Sequence, residues 1–389
     1  MSVARLEDAD GPAGLPRIPP GILPTDRAAR IAVVRALALG DLLCAVPALR
    51  ALRRTLPEAH ISLIALPWTV ELTRRLPGYV DELIEFPGFP GLPEVRPVDP
   101  GRLAAFLVDM QRREFDLAIQ LQGDGLVSNG FTCLLGARWA LGVMVPERAE
   151  PCPGTWLPFD PHLSEVRRHL RVVAALGGPA NDPRLEFPLL DSDADELTAA
   201  LNGAILRPGS YAVVHPGAAA AIRRWPAERF AAVADDLVRN GTPVVLTGSG
   251  EEAEIVAGVR AAMTERALDL SGRTTLGALA ALVAGSRLLV VNDTGVSHLA
   301  VALGVPSVTV STATDPVRWA PPADGHHVFV GGVPEANGCK HGLDEPDRCL
   351  GGGCTLATRQ SGIQPTADVT VDEVLAAIES LFGTGRLVA

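Results

Sequence analysis

The sequence of 389 residues predicts an α/β protein made of two doubly wound units in tandem. Short apolar, β-branched runs alternate with longer stretches of helical periodicity, which is the pattern of a parallel sheet with crossover helices. This series occurs twice, and a Pro- and Gly-rich stretch at 177–188 separates the two halves. Because doubly wound sheets bind ligands at the carboxyl ends of their strands, two facing units imply a ligand cleft between them.

The first half alternates strand and helix after a leader of mixed Pro, Gly and acidic residues. The leader has no periodicity, so residues 1–28 are predicted to be flexible and the first domain to cover 29–183. Apolar runs predict strands at 31–34, 60–66, 82–86 and 115–121. Apolar positions that fall on one helical face predict helices at 41–54, 103–113 and 161–176.

The second half repeats the pattern and is assigned to a second domain over 184–389. Its predicted strands lie at 211–215, 243–247, 287–291 and 307–311. Its predicted helices lie at 227–239, 251–264, 275–284 and 297–303. Each strand is followed by a helical pattern before the next strand begins, so the strands are expected to run parallel.

The composition excludes several classes of protein. Hydrophobic residues make up 47% and charged residues 20%, which allows large cores and rules out wholesale disorder. The net charge of −11 argues against a nucleic-acid binder with a broad basic face. Lys340 is the only lysine, so cationic roles fall to arginine or histidine. Six cysteines are too sparse for a disulfide scaffold, and no apolar run is long enough to span a membrane. We therefore expect a protein of the reducing cytoplasm, with peripheral contact at the inner face of the membrane left open.

The first candidate site follows the first predicted strand, where Gly40 and Asp41 begin a helix. Gly40 permits a tight turn. Asp41 has two interpretations. It is either a helix cap that accepts backbone N–H bonds, or a carboxylate at the strand end that serves as a general base.

The second candidate site is His215-Pro216-Gly217, followed by Arg223 and Arg224. A strand ends in a glycine loop, and two guanidinium groups precede a Trp-Pro helix start. Arginine forks match phosphate oxygens, so the pair predicts an anion site. The alternative is a solvated arginine pair beside a packed tryptophan.

The third candidate site is the turn Asp293-Thr294-Gly295, which leads into an apolar helix carrying His298. The free N–H groups at such a helix start bind anions, and Asp293 can accept hydrogen bonds from hydroxyl groups. Helix capping by Asp293 or Thr294 and a structural role for His298 are the alternatives.

A fourth stretch, Thr247 to Glu251, places Glu251 behind a strand and a glycine loop, where its carboxylate could bind ribose hydroxyls. A simple strand–helix turn explains it equally well. No stretch has the G-x-G-x-x-G or G-x-x-x-x-G-K-[ST] pattern in a strand–helix setting, which disfavours NAD enzymes and P-loop NTPases.

Two apparent metal motifs are discounted, so no metal is expected. The acidic residues at 191–195 precede a helical run and are interpreted as caps and solvated charge. Three cysteines near His341 have no C-x-x-C spacing, which disfavours a zinc site; they are Cys339, Cys349 and Cys354.

Together these motifs resemble glycosyltransferase family 9, the heptosyltransferase family, over about residues 31–320. The order and spacing of several motifs carry the resemblance. They are Leu39-Gly40-Asp41-Leu42-Leu43 with Pro47-Ala48-Leu49-Arg50; His215-Pro216-Gly217-Ala218 with Arg223-Arg224-Trp225-Pro226; Gly272 with Thr274-Thr275-Leu276; and Asn292-Asp293-Thr294-Gly295 with His298-Leu299-Ala300 and Thr314-Asp315-Pro316.

The resemblance implies a GT-B fold, in which two Rossmann-like domains face each other across a cleft. It implies an inverting, metal-independent transfer without a cofactor. The donor is a nucleotide sugar, typically ADP-heptose, in the C-terminal domain. The acceptor is a cell-envelope glycan or glycolipid, typically the growing inner core of lipopolysaccharide, in the N-terminal domain.

The resemblance also implies roles for individual residues. Asp41 corresponds to the family's proposed base, and Gly40 lies beside it on the acceptor side. The donor-binding residues it implies are His215, Gly217, Arg223, Arg224, Glu251, Asp293, Thr294, Gly295 and His298. Two departures concern the donor: Arg223 stands where the family has lysine, and the loop 218–221 is all alanine, without the hydroxyl residues often found there.

The implied chemistry is self-consistent. In a direct displacement the acceptor hydroxyl loses its proton to Asp41 as it attacks the sugar. Arg223 and the N–H groups at 294–297 stabilise the charge on the leaving nucleoside diphosphate. Two other functions stay open: an epimerase or hydrolase acting on a nucleotide sugar, and a non-catalytic protein that binds one. A dehydrogenase is a more distant alternative.

Overall fold

The computed structural model describes residues 15–146, 148–322, 325–332 and 368–382. These residues form two compact units. Unit 1 contains 15–37, 44–146 and 148–184. Unit 2 contains Ala38–Leu43 together with 185–322, 325–332 and 368–382. The division therefore assigns six residues of the first half, including Gly40 and Asp41, to unit 2.

Unit 1 is built on a six-stranded parallel sheet with the order β3-β2-β1-β4-β5-β6. Its strands are β1 (Arg30–Val34), β2 (His60–Ala65), β3 (Glu82–Glu85), β4 (Leu117–Gln120), β5 (Trp139–Met144) and β6 (Gly154–Pro158). The helices of this stretch of chain are α1 (Leu39–Leu43), α2 (Val46–Thr55), α3 (Val70–Thr73), α4 (Pro100–Arg112), α5 (Ser128–Leu134) and α6 (Glu165–Ala174). A 3₁₀ turn at Pro67–Thr69 precedes α3.

Unit 2 has a second six-stranded parallel sheet with the order β12-β11-β10-β7-β8-β9. Its strands are β7 (Ala212–His215), β8 (Val244–Leu246), β9 (Leu268–Asp269), β10 (Leu288–Asn292), β11 (Ser307–Ser311) and β12 (His327–Gly331). Its further helices are α7 (Asp191–Leu201), α8 (Ala227–Arg239), α9 (Ala253–Ala262), α10 (Leu276–Ala284), α11 (Gly295–Leu303), α12 (Pro316–Trp319) and α13 (Val371–Phe382). Short 3₁₀ turns lie at Ala221–Arg223 and Gly250–Glu252.

Both sheets have the same topology. In each, the first strand of the unit lies in the middle, and the chain adds strands to one side before crossing to the other. The switch point, where the strand order reverses, lies between β1 and β4 in unit 1 and between β7 and β10 in unit 2. Ligands bind at such a point in doubly wound sheets. The α/β prediction with two doubly wound units is confirmed.

The central strands are apolar because both of their faces are covered by helices. All five residues of β10 are buried, and β1 is buried from Ile31 onward. On one face of the unit 1 sheet, Phe131 of α5 packs edge-on against Phe86, with ring centroids 5.2 Å apart. In unit 2, Trp225 packs edge-on against Phe230 of α8, with ring centroids 5.0 Å apart.

Several elements differ from the sequence-based expectation. The helical pattern at 41–54 is two helices, α1 and α2, because the chain turns at Cys44 and Ala45 before Pro47 starts α2 in its first turn. Strands β5, β6, β9 and β12 and helices α3, α5, α12 and α13 were not predicted from the sequence. Strand β9 has two residues, which is too short for an alternating pattern to be recognised in the sequence.

Two smaller features bear on the sequence analysis. Cys133 in α5 and Cys152 before β6 form a disulfide, which the cysteine count gave no reason to expect. Asp193 caps the start of α7 by accepting a hydrogen bond from the Leu190 N–H at 2.9 Å, so the acidic run at 191–195 contains a helix cap. Within the described parts of the chain, no helix is long and apolar enough to cross a bilayer.

Candidate active site

The segment that carries Asp41 packs against the start of α11, within unit 2. Asp41 is the third residue of the five-residue helix α1, and its side chain is half-buried. It therefore lies in the first turn of α1 but is not the cap residue.

Two glycines allow this close packing. A Cβ atom on Gly40 would lie 2.7 Å from the ring of His298 and 3.1 Å from the Cα atom of Gly295. A Cβ atom on Gly295 would lie 2.9 Å from the backbone nitrogen of Gly40. Any larger residue at either position would push α1 away from α11. The structure thus brings together three residues that the sequence placed at two separate sites.

The start of α11 has the form of an anion site. Thr294 is the cap residue, with extended backbone, and its hydroxyl accepts a weak hydrogen bond from the Val296 N–H at 3.4 Å. Asp293, just before it, is 4% exposed, and its carboxylate forms no hydrogen bond with any described residue. His298 is buried on the first turn and meets Trp319 edge-on at 5.9 Å. The capping interpretation of Thr294 is therefore correct. The Ser297 N–H donates to the Thr294 carbonyl at 3.1 Å, which leaves the Gly295 N–H oriented toward the helix start.

The loop after β7 is shaped by a buried histidine and a glutamate. His215 Nδ1 lies 3.1 Å from Thr247 Oγ1, and its Nε2 lies 3.8 Å from Glu252. Burial lowers the pKa of His215, so the ring is neutral at neutral pH. A Cβ atom on Gly217 would lie 2.3 Å from the carboxylate of Glu252, so a larger residue there would displace that carboxylate.

Glu252 is the residue of this group that the sequence analysis missed. It lies against Gly217 and also accepts the Ser249 N–H at 2.8 Å, whereas the neighbouring Glu251 is exposed. The signal that could have found it is the Ser249 to Glu252 spacing of a capping box.

The two neighbouring arginines have different surroundings. Arg224 donates from Nε to the carbonyl of Ala218 at 2.7 Å and from a terminal nitrogen to Ala219 at 3.3 Å. Its guanidinium thus holds the alanine loop in place. The Arg223 guanidinium forms no hydrogen bond or ion pair with the described residues, so its five donors are available to a ligand.

An asparagine ties the two central strands of unit 2 together. Asn292, at the end of β10, donates from Nδ2 to the carbonyl of Pro216 at 2.7 Å. Its Oδ1 accepts the backbone N–H of Trp225 at 3.1 Å. Both ends of this buried amide are therefore used, and the loop after β7 is fixed against the loop after β10.

Unit 1 has a small pocket at its own switch point, lined by residues that include Leu37, Glu94, Gln122 and Asp124. Gln122 follows β4, and its Oε1 accepts the Ala36 N–H at 2.7 Å. This pocket lies at the switch point, where doubly wound sheets bind ligands.

Among the residues that the structure describes, no group of three or more His, Cys, Asp or Glu side chains could hold a metal ion. The cysteine cluster considered for zinc, Cys339, Cys349 and Cys354 with His341, lies outside the described residues.

Two doubly wound units of this kind in one chain are the architecture of the GT-B fold. A model of glycosyltransferase family 9 (heptosyltransferase) matches residues 104–347, which is more than half of the chain. The chain belongs to this family, and the predicted resemblance and enzyme class are confirmed.

The chain is also similar to individual proteins of known sequence or structure. Lipopolysaccharide heptosyltransferase 3 of Escherichia coli K12 is 24% identical over 323 residues, which cover 80% of this chain and 90% of that protein. The solved glycosyl transferase family 9 protein of Veillonella parvula matches with a TM-score of 0.69 at 20% identity, covering 93% of this chain and 99% of that one. The structure of Escherichia coli ADP-heptose lipopolysaccharide heptosyltransferase II matches with a TM-score of 0.64 at 21% identity, covering 90% and 98%.

Proposed function

We propose that this glycosyltransferase moves a heptose from ADP-heptose to a hydroxyl group of a lipopolysaccharide-type glycan or glycolipid, inverting the anomeric centre without a metal ion. Membership of the family carries the proposal, together with relatives whose names specify heptose, ADP-heptose and lipopolysaccharide. An acceptor of this kind is lipid-linked, so the reaction would take place at the cytoplasmic face of the membrane.

Asp41 is the proposed general base. Its support is the packing of α1 on the start of α11, which puts the carboxylate-bearing helix beside the proposed diphosphate site within one unit. A base must lie within hydrogen-bond reach of the hydroxyl that attacks the sugar, and that sugar is attached to the diphosphate. Gly40 and Gly295 make this proximity sterically possible.

Arg223 and the first turn of α11 are the proposed diphosphate ligands. The guanidinium has no competing hydrogen-bond partner in the described chain, and the Gly295 N–H lies at a helix start where negative charge is stabilised. These groups would neutralise the charge that grows on the leaving ADP. His215, Gly217, Glu251 and Asp293 would complete the donor site, with Glu252 supporting the loop that carries Gly217.

Donor identity is tested by calorimetric titration with ADP, UDP, GDP and CMP, each with EDTA present. Selective binding of ADP is the expected result, because the proposed donor is an ADP-sugar and the phosphate ligands are protein groups. Selective binding of another nucleotide would discard ADP-heptose. A requirement for a divalent ion would discard metal independence.

The role of Asp41 is tested by Asp41→Asn, with Asp195→Asn, an exposed change on α7, as the matched control. Loss of a general base lowers the transfer rate by about 10²- to 10⁴-fold, while the affinity for ADP stays close to that of the unchanged protein. The control keeps full activity. An Asp41→Asn protein with normal transfer would remove Asp41 from the mechanism, and heptose released without acceptor would favour a hydrolase.

A further inference from the structure

Four charged or titratable side chains of unit 1 form a buried cluster that includes Arg35, the residue after β1. Glu165, at the start of α6, is 1% exposed and pairs with Arg168 at 2.6 Å and with Arg35 at 3.2 Å. Its Oε1 also lies 3.4 Å from His169 Nε2. All four side chains belong to unit 1.

The cluster holds both ends of one short stretch of chain. Arg35 directly follows β1 and donates to the carbonyl of Leu121, which follows β4, as well as to Glu165. At the other end, His169 Nδ1 lies 3.3 Å from the carbonyl oxygen of Cys44, just after α1. The residues between these two anchors, 36–43, include Gly40 and Asp41. A single carboxylate oxygen, Glu165 Oε1, therefore connects to both anchors.

The charges of the cluster suit this role. Glu165 faces two arginines, whose charges compensate that of its carboxylate and fix its hydrogen-bond geometry. Burial and the charge of Arg35 lower the pKa of His169, so its ring is neutral and donates to one of its two facing oxygens at a time. Arg168 is held in turn by stacking on Phe159 at 4.3 Å and by the carbonyls of Asp160 and Leu163. The Glu165 carboxylate is thus held by arginines that are themselves fixed by further contacts.

We propose that Glu165 is the positioning residue for Asp41: by holding Arg35 directly and by keeping the His169 ring in place beside the Cys44 carbonyl, it fixes the stretch 36–43 in the geometry that proton abstraction needs. This inference rests on the proposed role of Asp41. Glu165 touches no proposed substrate group and acts only through the backbone that it anchors. Displacing a catalytic group by about 1 Å can lower the reaction rate by a factor of about 100.

The molecule offers a matched control at the opposite end of the same strands. Asp116, before β4, is also buried and ionic, pairing with Arg27 at 2.6 Å and accepting the Arg30 N–H at 2.8 Å. It ties the amino ends of β1 and β4, away from Asp41. Asp116→Asn and Glu165→Gln each remove one buried carboxylate charge from unit 1.

The first test is amide hydrogen exchange of the peptide 36–44 in both variants. Glu165→Gln is expected to speed exchange there by about tenfold or more, whereas Asp116→Asn leaves it unchanged, because only the first loosens both anchors. This measurement needs no substrate. Equal exchange in Glu165→Gln and the unchanged protein, or equal acceleration by both variants, overturns the proposal.

The second test is a double-mutant cycle with Asp41→Asn, measuring ADP release from ADP-heptose with a lipopolysaccharide core acceptor. Glu165→Gln is expected to lower kcat by about 10- to 100-fold with the donor KM unchanged. It is expected to have little further effect in the Asp41→Asn protein, because the group it positions is gone. A loss of equal size in both backgrounds would make Glu165 a structural residue only, with the proposed function intact. Full activity of Asp41→Asn would instead refute the proposed base, while the exchange result would still report on the anchor.

Discussion

The two switch points of this enzyme share a topology but are held by different chemistry. In unit 1, the residue after the central strand β1 is Arg35, which enters an ionic cluster with Glu165. In unit 2, the residue after the central strand β7 is Pro216, whose carbonyl is held by the neutral amide of Asn292. The strand order determines where the loops meet, and the residue that follows each strand determines how they are held.

The amides at the two switch points sharpen this contrast. Asn292 uses both its oxygen and its nitrogen in buried hydrogen bonds to backbone groups. Gln122, which follows β4, accepts from the Ala36 N–H through its oxygen, while its nitrogen has no partner among the described residues. The loops at the second switch point are thus held by the hydrogen bonds of a neutral amide, whereas those at the first are held mainly by the ion pair of Arg35 with Glu165.

The largest expected effect on stability is at the ionic switch point. Glu165→Gln leaves two buried guanidinium groups facing a neutral side chain and should lower the free energy of unfolding by about 3–5 kcal/mol, measured in urea. Glu85→Gln, at an exposed ion pair with Arg102 of 2.7 Å, should cost at most about 1 kcal/mol. Similar losses in the two variants would mean that the buried cluster does not stabilise unit 1 more than a surface pair does.

The amides give the next largest difference. Asn292→Leu leaves two buried backbone groups unsatisfied, the Trp225 N–H and the Pro216 carbonyl, and should cost about 2–4 kcal/mol. Gln122→Met leaves one, the Ala36 N–H, and should cost about half of that. Urea denaturation of the two variants side by side tests the ratio. A larger loss for Gln122→Met would reverse the comparison.

The adjacent arginines should separate ligand binding from loop support. Arg223→Ala should weaken ADP binding by about tenfold or more, since it removes a charged phosphate contact, with little change in melting temperature. Arg224→Ala removes two hydrogen bonds to the alanine loop and should lower the melting temperature, with a smaller effect on ADP affinity. Calorimetry and thermal melts of both variants measure the separation. Equal effects on ADP affinity would contradict the assignment of Arg223.

The smallest expected effect is on the pH dependence of stability. The folded-state pKa of His169 and of His215 is lowered by burial, so the unfolded chain binds a proton more readily than the folded one. The contribution of each histidine is complete above about pH 6.5 and is lost as the pH falls through that value, by about 1.4 kcal/mol per unit of pKa lowering. Comparing urea denaturation at pH 7.5 and 5.5 tests this. His169→Gln and His215→Gln should each flatten the decline, and an unchanged decline in the double variant would refute it.

The sequence predicted the long, regular parts of the fold best. Helix α8 and strand β11 have the predicted bounds, because their apolar patterns are uninterrupted. Strand β5 was missed because Gly142 interrupts its apolar run, and β6 because its short apolar stretch lies between a glycine and a proline. For the candidate site, local motifs singled out Asp41, Gly217 and the turn at 293–295, whose roles stay predictions. The sequence could not reveal that Gly40 lies against Gly295, or that Glu165 pairs with Arg35, because these contacts join residues more than 100 positions apart.

The assignment of Ala38–Leu43 to unit 2, while the chain on both sides belongs to unit 1, limits how the enzyme can be dissected. No single cut yields two complete halves. An expressed fragment that begins at Leu185 would lack α1, and Gly295 and His298 would lose the cover that Gly40 provides. Such a fragment would expose to solvent, at the proposed diphosphate site, the surface that α1 covers in the whole protein. Studies of the isolated donor half should therefore supply residues 36–45 as a synthetic peptide, or graft them onto the fragment through a designed linker.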